Sequence, residues 1–394
     1  MISDSYDAAN RSLWGLKTKI DFLNHGSFGA SPKAVLDRQI ALREMMEMDP
    51  VEFIENIGME IWADALNRLS DFLKADPAGL AFVPNATTGV NTVLSSLKLD
   101  EGDKILVTDT TYQACRNAVD AIIERSGCQV SVARITLPID DEEEIVDSVM
   151  GAVDDRTRLA LIDTISSPTG IRMPFERLVK ELQDLGVDVL LDAAHGPGLV
   201  PLDINALNAA YVTGNCHKWL CTPKGSAFLH VREDKRNIRP LVISHGATLP
   251  ESMGSRFRLE FDWTGTLDPT PWMCIPFAIE YIASILPGGW KGIMERNRRL
   301  AIEARSHIIS EVGLQPVCSE DFVTSMAGFI IPGEPFTPDA DPLHTRLLDI
   351  HGIQVPVIGW VPHNRRYLRI SAHLYNSIDQ YERLAEALKS ELRS

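Results

Sequence analysis

Lys218 stands in the run Thr213-Gly214-Asn215-Cys216-His217-Lys218-Trp219-Leu220, between apolar and aromatic neighbours. A lysine amine in desolvated surroundings gives up its proton more readily and becomes a nucleophile toward an aldehyde. A lone lysine is more often a solvated surface residue, so the residue type alone decides nothing. What weighs against the surface reading is Asp192, 26 positions earlier, at the end of the apolar run Val189-Leu190-Leu191. A strand that ends in a carboxylate is followed by a strand that leads into His-Lys. Such a carboxylate can keep a pyridine nitrogen protonated, and the ring can then accept electrons from a carbanion. It can equally cap the loop Ala193-Ala194-His195-Gly196-Pro197-Gly198, and position alone does not separate the two.

Three further places are less specific. Asn85-Ala86-Thr87-Thr88-Gly89-Val90-Asn91 joins an expected strand to an expected helix. Hydroxyls and N–H groups at a helix N-terminus make an anion site suited to a phosphate, but plain N-capping by threonine explains the same residues. Tyr112 follows another expected strand and could stack on a planar ligand or pack at the core rim. In Tyr367-Leu368-Arg369-Ile370-Ser371-Ala372, period-two alternation takes Arg369 off the apolar face. Its guanidinium could grip a carboxylate bidentately; a surface ion pair is the plainer reading.

The elements that must position these residues alternate. Strands are expected at 79–83, 104–108, 129–135, 158–162, 188–191, 211–213 and 227–231. Helices are expected at 88–97, 113–125, 142–153 and 175–185. Strands joined through helices imply crossover connections and a mainly parallel sheet. The nearly continuous apolar run at 188–191 fits a strand covered on both faces. Ligands in such sheets bind beyond the carboxyl ends of the strands. That edge is where Asp192, Tyr112 and the run before Lys218 fall.

After Pro269-Thr270-Pro271 the pattern changes to a long helix at 291–312, strands at 327–331 and 367–371, and a last helix with Ile378, Tyr381, Leu384 and Leu388 on one face. Ser377 and Gln380 are placed to form its capping box. The expected organisation is an N-terminal arm at 1–30, a large α/β domain at 31–270 and a smaller α+β domain at 271–394.

The 394 residues are 45% hydrophobic with a net charge of −16. So acidic a chain repels nucleic-acid backbones and anionic lipid. No apolar run approaches the roughly 18 residues of a membrane span. The first residues lack the basic and apolar regions of a secretory signal. Six scattered cysteines without CxxC spacing fit reduced thiols in a cytoplasm. Dinucleotide, P-loop, zincin and nucleophile-elbow motifs are absent, and the ten histidines show no metal-ligand spacing. No metal is expected.

Together these segments resemble the class V aminotransferase family of fold-type I pyridoxal-phosphate (PLP) enzymes, and within it the isopenicillin N epimerases and their relatives. Leu23-Asn24-His25-Gly26-Ser27-Phe28-Gly29, Asn85 to Asn91, Tyr112-Gln113, Ser167-Pro168-Thr169-Gly170, Asp192-Ala193-Ala194-His195, Gly214 to Leu220, and Leu368-Arg369-Ile370-Ser371 with Tyr375 carry the likeness. The resemblance implies a seven-stranded sheet with helices on both faces, PLP as cofactor, and a homodimer with shared active sites. Lys218 would hold the cofactor as a Schiff base and shuttle the Cα proton, with Asp192 at the pyridine nitrogen. His195 would meet the phenolic oxygen and Tyr112 would stack on the ring. Ala86, Thr87, Thr88, Ser167, Asn215 and His217 would complete the cofactor site, and Thr266 would reach the neighbouring subunit's phosphate. Arg369, with Asn24 and His25, would bind the amino substrate. Ser167 and Asn215 depart from residues common in the family. A persulfide-forming cysteine before Arg369 is missing, since Ser319 to Arg369 contains none. The reactions implied are epimerisation first, then C–S lysis or transamination. A PLP-fold binding protein without turnover is the reading from another class, and Lys218, Asp192 and Arg369 together argue against it.

Overall fold

The structure is a computed structural model that describes residues 10–335 and 341–392; residues 1–9 of the expected arm lie outside the described residues. Two helices, α1 (Lys33–Met48) and α2 (Gly58–Leu73), precede a large sheet. Its strands are β1 (Leu80–Val83), β2 (Lys104–Thr108), β3 (Gln129–Ala133), β4 (Thr157–Asp163), β5 (Asp188–Asp192), β6 (Tyr211–Asn215) and β7 (Ala227–Val231). Helices α3 (Ala86–Ser96), α4 (Gln113–Ser126), α5 (Glu142–Gly151) and α6 (Phe175–Asp184) form the crossovers.

The seven strands lie in the order β1-β7-β6-β5-β4-β2-β3, and β7 alone runs against its neighbours. Each residue of β6 and β7 is buried, whereas the edge strand β3 is mostly open. A strand covered on both faces calls for a nearly continuous apolar run, and Val189-Leu190-Leu191, all buried, supplies it in β5. The crossovers read as amphipathic faces: α6 buries Phe175, Leu178, Val179 and Leu182, the i, i+3, i+4, i+7 stripe.

Two helix starts differ from expectation in their caps, for local reasons. Helix α3 starts at Ala86 rather than 88, because its cap is Asn85. The Asn85 side chain accepts from the Thr88 N–H at 2.8 Å, so threonine is not the capping residue. The C-terminal helix (Ile378–Leu392) has half of the expected box. Gln380 accepts from the Ser377 N–H at 3.2 Å, while the Ser377 hydroxyl turns to Asp379.

The second sheet is antiparallel, with β8 (Gln315–Pro316), β9 (Met326–Ile331), β10 (Val357–Trp360) and β11 (Arg365–Ser371) in the order β10-β11-β9-β8. It is covered by α8 (Gly289–Val312) and α9 (Ile378–Leu392). The arm joins this part of the molecule, since Asp21–Phe22 pairs in parallel with Ile353–Gln354. Helix α7 (Ile275–Ile285), just past the expected boundary at 271, packs on α1 and α2 as well as on α8. Among the described residues no single helix is long and apolar enough to cross a membrane.

Close backbone approach fixes two glycines. A Cβ on Gly89 would sit 2.1 Å from the Thr213 hydroxyl, which is itself anchored to the Phe228 carbonyl at 2.8 Å. A Cβ on Gly29 (φ +69°) would strike the His217 carbonyl at 2.1 Å and Cα of Lys218 at 2.8 Å. Gly89→Ala should push the start of α3 off β6 and destabilise the fold by about 1–3 kcal/mol; thermal or urea unfolding of the purified variant checks this.

Candidate active site

The carboxyl ends of β4, β5 and β6 bring Asp163, Asp192 and the run before Lys218 to one edge. Asp163 and Asp192 are register partners on adjacent strands. Both are buried, at 4% and 3% exposure. Asp192 accepts from the Ala194 N–H at 2.8 Å and from the Cys115 thiol at 3.3 Å. One Asp163 oxygen has no partner. Burial, and then the Asp192 charge, hold Asp163 protonated well above the usual carboxylate range. Burial also raises Asp192, against the Ala194 N–H, the Cys115 thiol and the Lys218 charge. Desolvation and the Asp192 charge likewise push the Cys115 thiol up.

Lys218 is half-buried, and desolvation dominates at its amine. Burial, and then the Arg369 charge, pull it down to about 7, while Asp192, Cys115 and Asp163 oppose the change. Its Nζ lies 3.2 Å from His195 Nε2. The Trp219 indole donates to His195 Nδ1 at 3.3 Å. Burial and the Lys218 and Arg369 charges hold His195 well below its ordinary value.

Arg369 corrects an expectation. The sequence leaves it most simply as a surface ion pair, but it is 3% exposed, and Tyr367 and Ser371 on the same strand face are enclosed too. Alternation fails as a guide because β11 is an inner strand whose second face packs on the large domain. The guanidinium donates to the Ser167 carbonyl and, at 3.4 Å, to the Ser27 hydroxyl. Its Nε has no partner. Burial lowers its affinity for its proton to about 10, which leaves it charged at neutral pH. Tyr112, 45% exposed, caps α4 within electrostatic reach of Asp192 and Arg369.

Other expected residues have different surroundings. His25 is fully enclosed, and both ring nitrogens are engaged: Nδ1 with the Tyr375 hydroxyl at 2.7 Å, and Nε2 with the Lys218 carbonyl at 2.9 Å. It braces the lysine backbone, which leaves neither nitrogen for a substrate. Asn24 accepts from the Ser27 hydroxyl at 2.6 Å. Asn215 accepts from the Ala86 N–H at 2.9 Å, tying β6 to the start of α3, where Thr87 and Thr88 follow. His217 Nδ1 donates to the Ser226 carbonyl at 2.8 Å. Thr266 lies on an exposed loop.

A sequence model described as Aminotransferase class-V matches residues 48–321. The chain belongs to the class-V aminotransferase family. It is 35% identical to the isopenicillin N epimerase of Amycolatopsis lactamdurans, over 99% of both chains. It is 28% identical to a probable chloroplastic L-cysteine desulfhydrase of Arabidopsis thaliana, over 94% of this chain and 82% of the relative. A solved variant of C-DES with glycine covalently linked to its PLP cofactor has the same fold, with a TM-score of 0.79 at 19% identity over 94% of this chain and 97% of that one. Pyridoxal 5'-phosphate is thus the cofactor of this class-V chain. The residues fit it: a helix N-terminus for a phosphate, a buried carboxyl pair, an amine of lowered proton affinity, and a buried arginine with an unpartnered Nε.

Sequence reading missed Asp163 and Cys115 at this edge. Asp163 had a signal, since Leu161-Ile162-Asp163 echoes Leu190-Leu191-Asp192 at the next strand end. Cys115 had none, being one thiol on the first turn of α4. Nor does the sequence signal that His25 lies in a buried grouping with Cys221 and His373, whose ligand-type atoms are within 4.8 Å of one another. It joins residues almost 350 positions apart, and His25 could bind an ion there only by giving up a hydrogen bond.

Asp163 yields a stability prediction. Its folded-state proton affinity is raised above the unfolded value, so its folding contribution worsens as pH rises from about 4 toward that folded value. The Asp163→Asn apoprotein should therefore melt higher than wild type at neutral pH, with the difference vanishing toward pH 4. Thermal unfolding across that range measures it.

Proposed function

We propose that this chain withdraws and returns the Cα proton of an amino substrate that carries a free α-carboxylate, and so inverts its configuration. The observation that carries the reading is the amine of Lys218, held near neutrality between a buried carboxyl pair and the buried Arg369. The full-length likeness to an isopenicillin N epimerase puts inversion ahead of the alternatives. PLP supplies an electron sink that makes the Cα proton acidic.

In this reading Lys218 would hold the cofactor, and its free amine would serve as the base at Cα. Its lowered proton affinity leaves much of it unprotonated at pH 7, the form a base must have. Asp192 would pair with the pyridine nitrogen and keep it protonated, with the Ala194 N–H and the Cys115 thiol holding that carboxylate in place. His195 would offer a hydrogen bond to the phenolic oxygen. Thr87 and Thr88 would hold the phosphate at the start of α3, where the helix dipole favours an anion. Arg369 grips the α-carboxylate, with Ser167 and Ser27 holding the guanidinium in place. Tyr112 stands at the open side as the group that could deliver a proton to the other face. We place Thr266 at the phosphate of a second subunit; the apolar Leu36, Ile40, Met48, Leu241 and Val242, all exposed in the single chain, suit that pairing.

The second reading is C–S lysis, favoured by the desulfhydrase relative. Both begin with loss of the same proton. Incubating the holoenzyme with L- and D-amino acids, L-cysteine and isopenicillin N in deuterated water separates them. Inversion gives the deuterated opposite configuration with no keto acid; sulfide and pyruvate from L-cysteine would replace this reading with the lyase. Borohydride treatment and peptide mapping should find the cofactor mass on the Lys218 peptide. Arg369→Gln should lower kcat/KM by about 10²–10³-fold, mostly through KM, because a charged bidentate contact is lost.

A further inference from the structure

We infer that Trp219 is a positioning residue that fixes the tautomer of His195, so that His195 presents an N–H, and not a lone pair, to the nitrogen of Lys218. This rests on the reading of Lys218 as the reacting amine.

The indole nitrogen of Trp219 can act in only one way. An indole N–H donates and never accepts. Trp219 is 2% exposed, and its Nε1 meets His195 Nδ1 at 3.3 Å. Nδ1 must therefore offer its lone pair. Turning the imidazole over would put a C–H against the indole and strand a buried donor, which costs about 1–3 kcal/mol. His195 is itself 2% exposed, and the Lys218 and Arg369 charges beside it add to burial in favouring the neutral ring. A neutral imidazole has one proton. With Nδ1 bare, that proton sits on Nε2, 3.2 Å from Lys218 Nζ.

An N–H aimed at an amine finds a lone pair only when the amine is uncharged. The arrangement thus favours neutral Lys218 and disfavours the ammonium, whose own protons would face it. Arg369 acts in the same direction, while Asp192, Asp163 and Cys115 act against it. His25, which also lies against this segment, contacts the Lys218 carbonyl and leaves the amine alone. The opposite tautomer would turn a lone pair to Nζ and stabilise the charged lysine. The residue that follows Lys218 in the chain therefore decides, through the ring it touches, which protonation state of the amine is favoured. The same Nε2–H remains available to an oxygen acceptor when the amine moves away.

A merely structural Trp219 would need only its ring, which packs 4.7 Å from His25. Two variants separate ring from N–H: Trp219→Phe, and site-specific replacement of Trp219 by benzothienylalanine, which keeps the bicyclic shape and loses only the donor. The readouts are taken on apoprotein, so they do not depend on the mapping experiment that tests whether Lys218 carries the cofactor. In wild type, ¹⁵N-histidine NMR, with His195→Gln for assignment, should give a bare Nδ1 and a protonated Nε2. In both variants that distinction should collapse. Competitive acetylation of Lys218 against pH should show the fraction of neutral amine at pH 6 reduced by about tenfold, one unit in proton affinity. A wild-type His195 protonated on Nδ1, or an unchanged tautomer and lysine profile in the benzothienylalanine protein, would overturn the inference.

Discussion

Removing a primary amine from water penalises its ammonium form, and the arrangement around Lys218 follows from that penalty. Arg369 and Lys218 share one enclosed edge, and two buried cations cannot both be held cheaply. The guanidinium starts from a proton affinity high enough to stay charged after burial, and the ammonium does not. The lysine yields and becomes nucleophilic, while the arginine keeps the fixed charge a carboxylate can pair with. The carboxyl pair obeys the same rule with opposite sign. Asp163 and Asp192 face each other across a strand register, and of the two it is Asp163 that burial and its neighbour hold most firmly protonated. Asp192, with a backbone N–H, a thiol and the lysine charge in its favour, is the one fitted to carry the negative charge.

Holding that balance takes three distant parts of the chain. The loop bearing Lys218 comes from the large sheet, His25 from the arm, and Tyr375 from the C-terminal region. Tyr375 anchors His25, and His25 holds the Lys218 carbonyl. Gly29 approaches the same segment so closely that no side chain fits between them. The arm in turn is tied to the smaller sheet through its pairing with Ile353–Gln354. Docking of the C-terminal part and placement of the amine are therefore one event, and the arginine arrives on β11 with the same docking.

This division explains what could be read from the sequence. Parallel strands covered on both faces write themselves as apolar runs, so the large sheet was legible, and with it the strand-end positions of Asp192 and the approach to Lys218. The arginine's burial was not, because alternation reports one strand and says nothing of what packs on its second face. Helix α1 buries only Val35, Gln39 and Leu42, too narrow a stripe to announce a helix of 16 residues. His25 carried a motif but not its partner, since a contact across 350 positions leaves no local trace. Asn85 hid behind two threonines as the cap of α3, although asparagine is the stronger capping residue.

The same physics narrows the reaction. Sulfur transfer through an enzyme persulfide needs a thiolate that can reach the substrate. All six cysteines are buried. Desolvation, the largest influence on each, pushes the Cys216, Cys221, Cys274 and Cys318 thiols up to about 12. Cys115, which does reach the site, is occupied in donating to Asp192 and is driven further from ionisation by that carboxylate. The site is rich in groups that manage a proton and has no sulfur nucleophile. Chemistry that begins at the Cα proton can then end by returning a proton to that carbon, by placing it on the cofactor as in transamination, or by releasing a leaving group to solvent. Which follows depends on the groups that meet the substrate, and Tyr112, 45% exposed and within electrostatic reach of Asp192 and Arg369, is one that faces this edge. Burial raises its proton affinity, so its hydroxyl stays protonated at neutral pH and can serve there as a donor, which is the role an inversion requires and an elimination does not.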